Sequence, residues 1–181
     1  MRPRPGEVLH FSEDPTIPLF LPHVAATARQ AQAYVWAVDG TQAPAYWFPR
    51  QCPRAMAWDL PGTTPADREG ILGPGGGRRV HAIEHGWLRR LLSVELFAYR
   101  FAAAAFRPFG EPVPNAFVST EPVEPLGPAE PVGDLVQLHQ DAGIQLRVLD
   151  NLWGFWEAVV PSTLGFSGIR LGNATPRPGE R

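Results

Sequence analysis

The sequence contains no lysine; all 16 of its basic residues are arginine. This absence excludes Schiff-base chemistry and a lysine-ended phosphate loop, whatever the fold. Any anion site must therefore be built from backbone amides or from arginine, whose planar fork grips carboxylate and phosphate. Cysteine is nearly absent as well. The single thiol, Cys52, has no partner for an internal disulfide. Set between Pro49-Arg50-Gln51 and Pro53-Arg54, it reads as a buried, inert side chain. Long apolar runs are missing too: nothing approaches the roughly 18 uninterrupted apolar residues that would suggest a membrane span. The start Met1-Arg2-Pro3-Arg4-Pro5 lacks the apolar segment of a secretory signal, so a cytoplasmic location is expected. With 18 acidic residues against 16 basic ones, the net charge of -2 also lacks the basic excess of a nonspecific nucleic-acid binder.

What the chain has in quantity is proline, 21 residues, and glycine, 18 residues. Such a proportion raises the question of disorder. Here 44% hydrophobic residues and six tryptophans supply the apolar surface to offset chain entropy. The expectation is one compact domain over 1–181, with irregular connections and loose tails at 1–6 and 174–181.

Apolar periodicity predicts strands at 7–11, 34–38, 54–58, 79–84, 94–101, 144–149 and 165–171, and another ending at 117–119. Helical patterns cover 27–33, 41–48, 85–92, 132–142 and 151–160, with Gly143 closing the fourth and Asp150 or Asn151 capping the last. Leu60–Pro65 and Gly73–Gly77 read as loops. Strands outnumber helices, and most connections are too short for βαβ crossovers. The predicted class is α+β, with a split, mostly antiparallel sheet and short helices.

Three constellations invite a chemical reading. Gly73-Pro74-Gly75-Gly76-Gly77-Arg78-Arg79 has the glycines and arginines of a phosphate cradle, but neither phosphate-loop nor dinucleotide spacing, and reads as a surface loop. His81 and His85 are four apart, a spacing that suits a metal-dependent hydrolase. They straddle a strand-to-helix boundary without a third ligand at ligand spacing, so no metal is expected. Trp153 and Trp156 stand one helical turn apart, as core anchors of the last helix do. His10 is different, because it interrupts an apolar strand and leads into the turn Ser12-Glu13-Asp14-Pro15. That placement suits a polar group at the mouth of a cleft.

The blocks Leu9-His10-Phe11-Ser12-Glu13, Val35-Trp36-Ala37-Val38-Asp39, Pro49-Arg50-Gln51-Cys52-Pro53-Arg54, Val118-Ser119-Thr120-Glu121-Pro122-Val123, Asn151-Leu152-Trp153 and Ser162-Thr163-Leu164-Gly165-Phe166-Ser167 resemble a small bacterial family of unknown function. More distantly, the chain resembles the ADP-ribosyltransferase-like fold, a split sheet that grips NAD in a central cleft. That resemblance implies that His10 holds an NAD ribose and that Tyr46, after the second strand, stacks on nicotinamide. Ser12 and Arg50 would complete the nucleotide contacts. The fold's glutamate, which steadies the ribosyl cation just before an aromatic-Val-Ser run, falls on Ala116 here. Glu121 is the nearby carboxylate that could substitute for it. The function implied is binding of an NAD-like nucleotide with weak or absent ADP-ribosyl transfer or NAD hydrolysis. The alternative is a noncatalytic binding or interaction module.

Overall fold

The computed structural model describes residues 1–24, 31–74, 77–111, 113–177 and 179. The helix expected at 27–33 falls largely outside them. The chain groups into two compact units, each made of two chain segments: Met1–Arg50 with Glu95–Gly133, and Gln51–Val94 with Asp134–Arg181.

Unit 1 holds two three-stranded sheets. In one, β1 (Glu7–Ser12) pairs antiparallel with β5 (Phe97–Ala102), which pairs antiparallel with β8 (Glu130–Pro131). In the other, β2 (Val35–Ala37) pairs with β7 (Ala116–Ser119), and β7 with β6 (Arg107–Phe109), again antiparallel. Alternation along β1 sends Val8 to the side on which Tyr99 and Phe101 of β5 lie, and these pack with Phe20, Val35, Ala37 and Val123 into one core cluster. Phe20 is its hinge pin, meeting Tyr99 and Phe101 edge-on at 4.9 and 5.0 Å.

Unit 2 is built on a four-stranded sheet, ordered β10 (Gly165–Ile169), β3 (Arg54–Trp58), β4 (Arg79–Glu84), β9 (Ile144–Leu149). β4 and β9 run parallel and the other neighbours antiparallel. One face buries Ala55, Ala57, Val80 and Ala82 under α4 (Trp153–Val159) and the turn Arg68–Leu72 that follows α1 (Pro65–Asp67). The opposite face carries Met56 and His81, which pair across β3 and β4. α2 (His85–Ser93) follows β4 directly, and α3 (Leu135–Asp141) packs on β9.

The architecture is thus mixed α+β with mostly antiparallel sheets and few, short helices. Several boundaries differ from expectation for local reasons. The helix expected from Val132 starts at Leu135, because Gly133 takes a positive φ of 87° and Asp134 caps the helix, its carboxylate accepting from the Val136 and Gln137 amides. The strand expected from Val94 starts at Phe97, because the Val94 amide closes α2 on the Arg90 carbonyl. Tyr99 of β5 is buried. Within the ends expected to be loose at 1–6 and 174–181, some described residues carry contacts. Arg100 donates to the Arg2 carbonyl, Thr175 donates to Glu84, and Arg177 pairs with Glu157 at 3.3 Å.

Candidate functional site

The candidate site lies within unit 1 and starts from the half-buried ring of His10. Its Nδ1 is 2.8 Å from the Trp36 carbonyl, which can only accept, so Nδ1 bears the proton and Nε2 presents a lone pair. The ring packs against Phe20 at 4.9 Å. Burial pushes its pKa down to about 4 against the opposing pull of the Trp36 carbonyl, and the charges of Arg50 and His23 lower it further. His10 is therefore a neutral hydrogen-bond acceptor at neutral pH.

The turn after β1 is fixed from several sides. Ser12 is buried and its Oγ accepts from the Asp14 amide (3.1 Å), while the Asp14 carboxylate accepts from the amide and hydroxyl of Thr16. Tyr99 pins this turn from β5, its hydroxyl donating to the Asp14 carbonyl (2.7 Å) and accepting from the Ile17 amide (2.9 Å). Nothing in the local sequence signals that role for Tyr99, since the partners lie more than 80 positions away. Glu13 reaches across to accept from the Arg50 amide at 2.9 Å, tying the turn to the proline-arginine block. Arg50 is exposed and close enough for its charge to act on His10.

Tyr46 ends the 3-10 turn Ala43–Tyr46 and is half-buried. The Asp39 carboxylate starts that turn by accepting from the Thr41 and Gln42 amides, both at 2.9 Å. Glu121 is exposed just past β7, with its amide donating to Ser119 Oγ (3.2 Å). Ala116, at the position where the distant resemblance calls for a glutamate, is buried as the first residue of β7, opposite Phe109. His10, Ser12 and Arg50 are thus linked through one turn, whereas the contacts of Glu121 run to Ser119.

The other constellations resolve into structural roles inside unit 2. Gly75 and Gly76 of the glycine loop lie outside the described residues. Of the adjoining arginines, Arg78 pairs with Asp59 at 3.2 Å and Arg79 donates to His81. His81 is in β4 and His85 at the start of α2, where His85 faces Asp150 at 3.8 Å. Among the described residues no group of three or more His, Cys, Asp or Glu is placed to hold a metal ion. Cys52 is buried, and burial pushes its thiol up to about 12, with Arg54 pulling the other way. Trp153 and Trp156 are only partly buried: Trp156 meets Phe166 edge-on at 5.6 Å, and Trp153 Nε1 donates to the Thr175 carbonyl. No helix among the described residues is long and apolar enough to cross a membrane.

Comparison with protein families gives a match over residues 9–174, from β1 to the turn after β10, to the family of unknown function DUF6886. The chain belongs to this family. The DUF6886 match spans both units, so the site around His10 and the sheet of unit 2 are parts of one family pattern. Comparisons with curated proteins and with solved structures give no match.

Proposed function

We propose that this DUF6886 protein binds an NAD-like nucleotide at His10, Ser12, Tyr46 and Arg50, in the manner of the ADP-ribosyltransferase-like fold, and that it turns the nucleotide over weakly or not at all. The reading is carried by the state of His10. A neutral imidazole, held by the Trp36 carbonyl with Nε2 as acceptor, suits a ribose hydroxyl, which must donate. Arg50 beside it supplies a cation for a phosphate in a chain without lysine. In this reading Tyr46, half-buried at the end of the turn Ala43–Tyr46, is the aromatic that meets a base or nicotinamide ring.

Weak chemistry follows from Ala116. A methyl side chain in a buried strand position cannot stabilise a ribosyl cation, and loss of one preorganised group of that kind costs on the order of 100- to 1000-fold in rate. Glu121, exposed and beyond the strand, is the substitute carboxylate if there is one. The same alanine favours a second reading, a noncatalytic binding or interaction module without nucleotide chemistry.

Thermal unfolding with and without NAD, combined with a nicotinamide-release assay, tests both readings. The proposal expects NAD to raise the melting temperature, the rise to vanish in His10→Ala, and nicotinamide release to be slow. Absence of any shift at millimolar NAD would leave the interaction-module reading standing. Rapid release abolished by Glu121→Gln would show an active enzyme with its carboxylate at a new position.

A further inference from the structure

Among the described residues, a set of buried titratable side chains outside the candidate site lies inside unit 2. His81 on β4 and His139 on α3 are 0% and 1% exposed. Arg79 Nε lies 2.8 Å from His81 Nε2, His81 Nδ1 lies 3.0 Å from His139 Nε2, and His139 Nδ1 lies 2.6 Å from the Leu135 carbonyl. Chemistry fixes the direction of every link. The arginine Nε–H can only donate, so His81 Nε2 is bare and its proton sits on Nδ1. That proton is given to His139 Nε2, which leaves the His139 proton on Nδ1 for a carbonyl that can only accept. All four ring nitrogens are engaged, and neither imidazole has a lone pair left for a proton or a metal ion. A second proton on either ring has to break a link.

Positive charges act on the pair. Arg79 lies beside His81 on β4 and Arg54 comes from β3; both disfavour the imidazolium, and burial disfavours it more strongly still. On the remaining elements, Arg147 of β9 is turned onto the Ile71 and Leu72 carbonyls, and His85 of α2 faces Asp150. The helix held by this chain also packs on β9 and meets α2. Of the seven residues of α3, Leu135 and His139 are the buried ones.

We propose that the His81–His139 pair is an acid-sensitive latch, which fastens α3 to the sheet while both rings are neutral and releases it when His139 takes up a proton. In the released state His139 leaves the interior and is protonated as an ordinary imidazole. Opening of α3 then becomes about tenfold more favourable for each pH unit below about 6.5, per proton bound.

Amide hydrogen exchange of the full chain between about pH 8 and pH 5, corrected for the intrinsic pH dependence of exchange, tests the latch. The expected result is that protection at Leu135–Asp141 falls by about tenfold per unit in acid while β3, β4 and β9 stay protected, and that His139→Gln, which binds no proton, levels this dependence. A pH-independent α3, an α3 that opens only together with the sheet, or a His139→Gln protein with the wild-type dependence would each overturn the proposal. If that variant does not fold, ring nitrogen shifts of the wild type decide. Nδ1–H tautomers at both histidines, with proton uptake coincident with loss of α3 protection, support the latch; proton uptake with α3 still protected refutes it.

Discussion

His10 and Cys52 show how strongly enclosure sets the chemistry of a single side chain. His10 titrates at about 4 rather than 6.5, so in this protein the ring is neutral wherever the fold is intact above that range. A histidine whose folded pKa is depressed binds fewer protons folded than unfolded. Its contribution to stability is complete above about 6.5 and is lost as pH falls through about 4, a change on the order of 3 kcal/mol. Unfolding midpoints in denaturant should therefore fall between pH 6.5 and 4, and His10→Phe should flatten part of that fall. Proton-detected titration of the His10 ring checks the same point directly. Cys52, with its thiol pushed up to about 12 and its side chain buried, should resist alkylation at neutral pH in the folded protein and react fully in denaturant. Rapid labelling of native protein, followed by mass spectrometry, would contradict this. The inert thiol was legible from its flanking prolines and its solitude. The acceptor state of His10 was not, because it depends on the Trp36 carbonyl of another strand and on Phe20.

Elements were most legible where a compact apolar run is bounded by proline or glycine. Arg54–Trp58, Arg79–Glu84 and Ile144–Leu149 are strands over the expected residues. β6 and β8 leave no strand signal in the sequence because each is short and contains a proline, Pro108 or Pro131. The helical turn through Leu72 is hidden for another reason: Pro65, a breaker by type, stands at the start of α1, where Thr64 caps the helix by accepting from the Asp67 amide. Asp134 does the same for α3, and Asp134→Ala should cost about 1 kcal/mol in denaturant unfolding. Gly77 is constrained more severely. A Cβ there would run into the backbone carbonyl of Gly143, at the point where β4 and β9 begin their parallel pairing. Gly77→Ala should lower the melting temperature by several degrees, as expected for a backbone shift costing about 1–3 kcal/mol. A variant as stable as wild type would show that this approach can relax freely.

At the scale of the whole molecule, each compact unit draws on two separated chain segments, with crossings at Arg50, Val94 and Gly133. Sequence composition carries no trace of this, because the segments are joined by pairings such as β1 with β5 and β4 with β9, whose partners lie far apart in the chain. A chain cut after Val94 lacks β5 and β7, and also α3, β9, α4 and β10. Neither part should show a cooperative thermal transition alone, and circular dichroism melts of both check this. The parallel pair β4–β9 has a further consequence. Its connection passes through α2, the whole second segment of unit 1 and α3. During synthesis on the ribosome, the last residue of unit 1 is therefore made, and emerges, ahead of every residue of β9. β4 must wait, with its β9 edge unpaired, while the other unit is completed.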